Sequence, residues 1–236
     1  MLLYRISILG ISECRWTGNG CVTTSLGNTI GYSGRNDNDH RERVAIMKSK
    51  EAKKSMIEWT PISERLMVAR FKSRYTKLSV IQCYAPANDA EEEAKDTFYL
   101  QLQKALDSVP SHDVLLVIGD LNPKVGRSNE GREKTMGKNG CGEMNENGER
   151  LADICDLNDL VVGGTIFGHK QIHKLTWTSP AGNVKNQIDH VLINGRRKHS
   201  LHNDTVKRAP LSKCSGPTPE KLGKIYGRTR ECPMRT

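Results

Sequence analysis

The 236-residue sequence is poor in aromatic residues and has no long hydrophobic run. Phe, Trp and Tyr make up 5% of the chain, and the mean hydropathy is −0.58. No apolar stretch approaches the roughly 18 residues that a membrane-spanning helix needs, so no membrane partner is expected. The N-terminal segment lacks a basic leader and a small-residue cleavage site, so no signal peptide is expected either. The composition indicates a soluble globular chain with polar insertions.

The seven cysteines form no pattern that is typical of a zinc site or a disulfide framework. Their number is odd, their spacing is scattered, and no Cys-x-x-Cys pair occurs. This usage favours reduced thiols, and therefore an intracellular protein.

The basic charge of the chain is concentrated near its C-terminus. The formal net charge is +9; residues 207–236 hold eight Lys or Arg against two Glu, which leaves +6 in this segment. The segment is rich in Gly and Pro and has no apolar periodicity, so it is predicted to be a disordered tail that follows a domain of residues 1–206. A basic balance suits a nucleic-acid partner, and a solvated tail without a partner is the alternative.

The most informative element is the apolar run of residues 114–118, which predicts a buried strand. Gly119 ends the run, and Asp120 and Asn122 follow it two residues apart. Residues i and i+2 of an extended segment point the same way, so their side chains are expected to face one small volume. A carboxylate beside a carboxamide suits a hydrated divalent metal, an activated water or a phosphate oxygen. The alternative is an Asp/Asn turn after the strand.

Strands and helices alternate irregularly along the rest of the chain, which favours an α+β or sandwich-like sheet protein over a doubly wound sheet. Apolar periodicity and capping residues predict a helix over 90–108 capped by Asn88 or Asp89, and a second helix through Leu157 capped by Asn145 or Asn147. Further strands are predicted at 5–12, 44–47, 62–71, 78–84 and 160–164, with a hairpin or loop over 18–34, a long surface loop over 124–143 and a hairpin pairing 174–179 with 186–193.

Anionic or hydrogen-bonding side chains recur where apolar runs stop, at Glu13, Tyr84, Asp120 and Asp189. Phosphodiester hydrolysis needs a metal, a base for water and donors for the developing charge. Glu13 could hold Mg²⁺, Asp120 could take a proton from water that Asn122 positions, Tyr84 could donate to a phosphate, and Asp189 could complete the cluster. Taken singly, each has a structural alternative: a solvated residue for Glu13, a core-edge tyrosine for Tyr84, and a strand with one polar face for Asp189.

The order of these motifs resembles the endonuclease/exonuclease/phosphatase superfamily, and most closely the apurinic-endonuclease-like domain of RTE-type non-LTR retrotransposons. The resemblance runs from about residue 4 to about residue 206. The segments that carry it are ILGISECRW at 8–16, IQCYAP at 81–86, GDLNPKVG at 119–126, EMNENGE at 143–149, GGTIF at 163–167 and NQIDH at 186–190.

The resemblance implies a four-layered α/β sandwich in which two mixed β-sheets face each other and helices lie outside. It also implies hydrolysis of phosphodiester bonds, in DNA, with Mg²⁺ or Mn²⁺. On this basis Glu13 is the metal carboxylate, Asp120 the water-orienting carboxylate that also faces the metal, and Asn122 its partner. Tyr84 contacts the phosphate and Asp189 is the later active-site Asp. Trp177 matches a family aromatic, although packing is the expected role.

The sequence departs from the family pattern at both ends. No Ser-Asp-His motif follows Asp189, and the strand that ends in Glu13 begins within the first few residues. Arg43 also stands where relatives carry Gly. We therefore expect a domain truncated at both ends, with weak or absent activity, since losing one member of a catalytic set costs several orders of magnitude in rate. A non-catalytic nucleic-acid binder and a retroelement fragment without a role are the alternatives; a nuclear location is favoured over a cytoplasmic one.

Overall fold

The computed structural model describes residues 6–14, 16–34, 43–179, 183 and 185–202. The helices within these residues are α1 (Lys50–Ser55), α2 (Glu92–Asp107) and α3 (Glu146–Leu157). The strands are β1 (Ile8–Cys14), β2 (Gly20–Thr23), β3 (Thr29–Ser33), β4 (Arg43–Lys48), β5 (Met56–Ser63), β6 (Leu66–Phe71), β7 (Leu78–Tyr84), β8 (Val114–Asp120), β9 (Leu160–Val162), β10 (Trp177–Thr178), β11 (Lys185–Asn186) and β12 (Asp189–Asn194).

Two principal sheets organise these strands. The larger has the order β5-β6-β7-β8-β12-β9 and is mixed, because β7 and β8 are parallel while its other neighbours are antiparallel. The smaller has the order β1-β4-β3-β2 and is antiparallel at each described pairing. Strands β10 and β11 form a separate two-stranded ribbon.

The two sheets pack face to face around a buried apolar layer. Val44 and Ile46 of β4 contact Met67 and Phe71 of β6 and Val80 of β7. Each such side chain contributes about 1.5–3 kcal/mol when it leaves water. The opposite face of the larger sheet carries α2 and α3, and the α+β sandwich of two sheets with helices predicted from sequence is confirmed.

Helices α2 and α3 bury the apolar stripes that the sequence predicts. Phe98 and Leu102 of α2 and Leu151 of α3 lie in one core cluster with residues of β7 and β8. The Asn145 side chain accepts a hydrogen bond from Gly148 N, so it caps α3 as predicted. The predicted cap for α2 is wrong, because Glu91 precedes that helix and makes no side-chain capping bond.

Several boundaries differ from the sequence prediction. The single strand predicted over 62–71 is the end of β5, a turn and β6, and the short helix α1 was not predicted. Strand β9 ends at Val162 in a 3-10 turn instead of reaching residue 164. The predicted tail, 207–236, and the domain boundary at residue 206 lie outside the described residues. No helix within the described ranges has the length and apolar character to cross a bilayer.

Candidate active site

Glu13 is the extra residue of a β-bulge at the end of β1. Its neighbours Ser12 and Cys14 pair with the consecutive residues Val44 and Arg43 of β4, so Glu13 has no partner in the register. Its φ of 57° places the backbone in the left-handed region. A bulge of this kind redirects a side chain, and bulges are frequent next to active sites. Here the Glu13 carboxylate is directed towards the end of β7.

The side chain of Tyr84, the last residue of β7, meets this carboxylate. Its phenolic oxygen donates a hydrogen bond to Glu13 Oε1 at 3.0 Å. Burial, and then the charge of Glu13, raise the pKa of the Tyr84 phenol well above its usual range. The phenol therefore remains protonated and can donate a hydrogen bond.

Three of the predicted residues form a row across the larger sheet. Asp120 ends β8 and is paired with Tyr84 of the parallel strand β7 on one side and with Asp189 of the antiparallel strand β12 on the other. Neighbouring strands lie about 4.8 Å apart, so these backbone positions span roughly 10 Å. Asp120 is buried, with 1% of its surface exposed. Folding thus places Tyr84, Asp120 and Asp189 side by side, with Glu13 held against this row by Tyr84.

A close backbone contact fixes the strand end that carries Asp120. Gly119 has a φ of 140°, and a Cβ atom at this position would lie 1.9 Å from the carbonyl oxygen of Cys83. Only glycine is compatible with both the conformation and the contact. The Asp120 carbonyl also accepts a hydrogen bond from Ala85 N at 2.8 Å, which ties the ends of β7 and β8 together.

Asn122 lies in a turn, so the extended conformation predicted for residues 120–122 is wrong. Its φ is 57°, and its backbone N–H donates to Asp120 Oδ1 at 3.2 Å. Its Nδ2 donates to the Ala85 carbonyl at 2.7 Å. The Asp/Asn turn therefore exists, and within it Asp120 and Asn122 still belong to one hydrogen-bonded unit at the strand end.

Asp189 opens β12 and is anchored by Thr176. The backbone N–H groups of Ile188 and Asp189 both donate to Thr176 Oγ1, at 3.0 and 3.2 Å. The next residue, His190, is completely buried, and its Nε2 donates to the carbonyl of Pro123 at 3.1 Å. Burial lowers the pKa of His190 to about 4, so its imidazole is neutral at pH 7.

Two contributors to the site were missed by sequence reasoning. Gln82 lies between the sheets, where its Nε2 donates to Ser12 Oγ at 3.1 Å and positions the end of β1. A Cβ at Gly10 would lie 1.8 Å from Gln82 Oε1, so Gly10 makes room for this contact. Arg65 stacks over the Tyr84 ring at 5.4 Å and donates to the Tyr84 carbonyl at 3.2 Å. Gln82 lies inside a motif of the family resemblance, whereas no sequence pattern marks Arg65.

The ribbon that carries Trp177 is shorter than the predicted hairpin of 174–179 with 186–193, because residues 189–194 instead form β12 of the larger sheet. Trp177 and Asn186 are paired in β10 and β11, and the Trp177 side chain is half-buried. Part of the turn between these strands, 180–182 and 184, lies outside the described residues.

The donor set at this rim is made of hard oxygen atoms, which Mg²⁺ and Mn²⁺ prefer. Among the described residues no three His, Cys, Asp or Glu side chains approach closely enough to form a complete protein metal cage. Mg²⁺ commonly keeps several waters and takes only one or two protein carboxylates. Glu13 and Asp120 supply two carboxylates at this rim, which is the number of protein carboxylates that such a hydrated ion takes.

Comparison with known proteins gives close sequence relatives over most of the chain. Craniofacial development protein 2 of Tragulus javanicus and that of Bos taurus are each 36% identical to it over 209 residues, or 89% of the chain. The chain spans only 35% and 34% of the length of these two relatives. No protein-family model matches the chain.

Solved structures share its fold at much lower sequence identity. The AP endonuclease LMAP of Leishmania major has a TM-score of 0.57 at 12% identity, with 84% of this chain and 73% of that chain covered. The 3′ phosphatase NExo of Neisseria, bound to a product DNA hairpin, has a TM-score of 0.53 at 16% identity and coverages of 84% and 80%. The endonuclease domain of TRAS1, a telomere-specific non-LTR retrotransposon, gives 0.51 at 12% identity and coverages of 82% and 75%.

Proposed function

We propose that this chain, which belongs to the endonuclease/exonuclease/phosphatase superfamily, is an endonuclease-like domain of retrotransposon origin that hydrolyses phosphodiester bonds with Mg²⁺ or Mn²⁺, weakly if at all. The observation that carries the proposal is the hydrogen bond from Tyr84 to Glu13 beside the row of Tyr84, Asp120 and Asp189. These residues come from four strands and meet at one rim. Because the curated relatives are far longer, activity and substrate are proposed for this chain alone.

The Glu13 carboxylate would hold the divalent ion, with Asp120 facing it from the end of β8. Tyr84 Oη occupies one Glu13 oxygen, Oε1, and so fixes the orientation of the carboxylate. When bound, the ion would neutralise charge on the phosphate and polarise its oxygen atoms. Tyr84 stays protonated, and its single O–H would turn from Glu13 to a phosphate oxygen when the substrate binds.

Asp120 would act as the base. Its carboxylate would accept a proton from the attacking water, while Asn122, held by the Ala85 carbonyl, orients that water. A bond forms between the water oxygen and phosphorus, the bond from phosphorus to the leaving strand breaks, and the leaving oxygen takes a proton from solvent. Asp189 would extend the polar rim on the other side of Asp120.

We propose low activity because the family resemblance leads us to expect a histidine side chain in a Ser-Asp-His motif. The family motif Ser-Asp-His does not occur in residues 190–236. The nearest candidate by sequence, His190, is buried and donates to Pro123, so it does not supply the missing donor at the rim. Loss of one member of an interdependent catalytic set leaves a rate about 10³-fold to 10⁶-fold lower.

Nicking of supercoiled plasmid DNA tests this function directly. We expect nicking in Mg²⁺ at a rate at least about 10³-fold below that of an active relative, and we expect Asp120→Ala to remove what remains. Lys54→Ala, on the exposed surface of α1 and purified in the same way, controls for contaminating nucleases in the preparation. A rate equal to that of an active relative contradicts the impaired site, and nicking that survives Asp120→Ala contradicts the assignment of Asp120.

A non-catalytic nucleic-acid binder is the second candidate, and the net charge of +9 is the observation that favours it. It predicts DNA binding that weakens steeply with salt and shows no cleavage under any divalent metal. A DNA partner also favours a nuclear location over a cytoplasmic one, and fluorescence imaging of the tagged chain in cells tests this.

A further inference from the structure

The end of the larger sheet opposite to the candidate active site collects basic residues from distant parts of the chain. Residues 72–77 follow β6, and residues 195–200 follow β12. Together they hold six Lys or Arg and no Asp or Glu: Lys72, Arg74, Lys77, Arg196, Arg197 and Lys198. We call these two segments the basic end.

Sheet pairing brings the two segments of the basic end together. Strands β7 and β8 are parallel, so Leu78 and Val114 are paired at one end while Tyr84 and Asp120 are paired at the other. Strand β12 runs in the opposite direction, and its last residue, Asn194, accepts a hydrogen bond from Leu115 N at 3.2 Å. Strand β8 has seven residues, so the basic end and the active-site rim lie about 20 Å apart.

The basic end surrounds an open depression of about 500 Å³ that Tyr75, Thr76, Lys77, His112 and Arg197 line. Thr76 Oγ1 donates to the His112 carbonyl at 3.1 Å, which joins the segment before β7 to the segment before β8. Arg197 also lines the depression, and its Nε is buried and has no hydrogen-bond partner within the described residues. A buried guanidinium donor without an acceptor is costly, and an anionic ligand would satisfy it.

The cations of the basic end are available to a ligand. None of the six forms a salt bridge within the part of the chain that the structure describes, whereas Arg70, Lys95 and Arg150 elsewhere each contact carboxylates. The adjacent buried carboxylate, Asp113, is already held by two hydrogen bonds from Arg70, at 2.6 and 3.1 Å. It therefore does little to neutralise the basic end.

Tyr75 gives the basic end an exposed aromatic face. Its side chain is 86% exposed, and the guanidinium of Arg74 lies 5.3 Å from its ring centroid. A large exposed ring without a packing role, beside unpaired cations, is the combination by which proteins bind single-stranded nucleic acid, since bases stack on the ring and phosphates contact the cations.

We infer that the basic end is a second nucleic-acid-binding surface, which takes single-stranded DNA or RNA through phosphate contacts to Arg74, Lys77 and Arg197 and through base stacking on Tyr75. It is remote from the active-site rim and does not depend on the function proposed for that rim. A strand bound there would be held by the domain whether or not the rim hydrolyses it.

Fluorescence anisotropy with a labelled 20-nucleotide strand tests the surface on the full chain in EDTA, with dT₂₀ and rU₂₀ as separate probes. For the variant R74Q/K77Q/R197Q we expect the slope of log Kd against log salt to fall by about 2, which corresponds to three lost contacts with a single strand. The matched control is the variant K50Q/K53Q/K54Q. It also removes three positive charges, but at a different depression, which Lys50, Lys53 and Lys54 line. Equal effects of the two triple variants would contradict the assignment.

Tyr75→Ala separates stacking from charge and, at so exposed a position, carries little risk to folding. We expect it to weaken binding of either probe about five-fold or more with the salt slope unchanged, and Tyr75→Phe to restore binding. Photocrosslinking of a strand that contains 5-iodouracil should place adducts at Tyr75. Adducts confined to the active-site rim would overturn the inference. It would also be overturned if the chain bound phosphatidylserine vesicles as tightly as the single strand and Tyr75→Ala left that vesicle binding unchanged.

Discussion

The phenol of Tyr84 donates a hydrogen bond of 3.0 Å to the carboxylate of Glu13, although 71 residues separate them in the chain. This contact joins the ends of strands from two different sheets, and it holds Glu13 beside the row of Tyr84, Asp120 and Asp189. It orients the carboxylate that we propose holds the metal, so both the stability of the fold and the affinity for Mg²⁺ should depend on it.

Removing the phenolic oxygen should weaken both the fold and the metal site. We expect Tyr84→Phe to lower the free energy of unfolding by about 1 kcal/mol, the typical value of one hydrogen bond, and to weaken Mg²⁺ binding because Glu13 loses its orienting partner. Urea denaturation and calorimetry measure the two effects. Tyr99→Phe is the matched control, since Tyr99 donates to the Asn147 carbonyl at 3.3 Å away from the rim. If both variants bind Mg²⁺ alike, Tyr84 has no role in holding the ion.

Gly119 should tolerate no side chain. A Cβ there would lie 1.9 Å from the Cys83 carbonyl oxygen, at a φ of 140°. We expect Gly119→Ala to destabilise the fold by about 3 kcal/mol or more, because backbone must move to relieve the contact. Gly131→Ala is the control: its φ is also positive, at 73°, but nothing lies within 4 Å, so a cost of about 1 kcal/mol is expected. Similar melting temperatures for the two variants would show that β7 and β8 are not packed this closely.

His190 should make the fold sensitive to mild acid. Its pKa is about 4 in the folded chain against an ordinary 6.5, so between these values the unfolded state takes up a proton that the native state does not. Stability is therefore retained above pH 6.5 and is lost as the pH falls towards 4, by about 3 kcal/mol in total. The difference in unfolding free energy between the parent and His190→Gln, measured at several pH values, isolates this contribution. A difference that does not change with pH would mean that folding leaves the pKa of His190 unchanged.

Lys48 should destabilise the native state at neutral pH. Its side chain is 1% exposed, its Nζ lies 3.1 Å from Met56 Sδ and 6.0 Å from the Trp59 ring centroid, and burial lowers its pKa. We expect Lys48→Met to raise the unfolding free energy by about 1 kcal/mol or more at pH 7. Lys48 loses its proton at a lower pH in the native state than in the unfolded state, so the parent gains stability as the pH rises towards 10.5. The difference in unfolding free energy between the parent and Lys48→Met therefore narrows over this range. Lys54→Met, at an exposed position, should show neither effect.

The sequence was sufficient to predict what depends on local pattern and on motif order. The apolar run before Asp120, the stripe of α2 and the Asn145 cap each lie in continuous segments, and each forms as predicted. The order of the strand-end motifs along the chain can also be read directly from the sequence. Family resemblance then indicated that those ends meet, which spacing alone does not determine.

Features that depend on pairing between distant segments were not predictable in this way. The bulge at Glu13 exists because β1 pairs with β4, and the turn at Asn122 depends on the Ala85 carbonyl. Helix α1 was missed because it is six residues long and buries only Ala52, which gives no apolar stripe. The basic end likewise requires knowledge of how β7, β8 and β12 are ordered in the sheet.

Paramagnetic broadening of amide NMR signals by Mn²⁺ tests the proposed metal site at this rim, because it locates a bound ion without requiring catalysis. At substoichiometric Mn²⁺ we expect the signals of Glu13, Tyr84, Asp120 and Asp189 to broaden together. We expect Mg²⁺ to reverse the effect and Glu13→Gln to remove it. Broadening centred elsewhere on the chain, or unchanged in Glu13→Gln, would contradict a metal site at this rim.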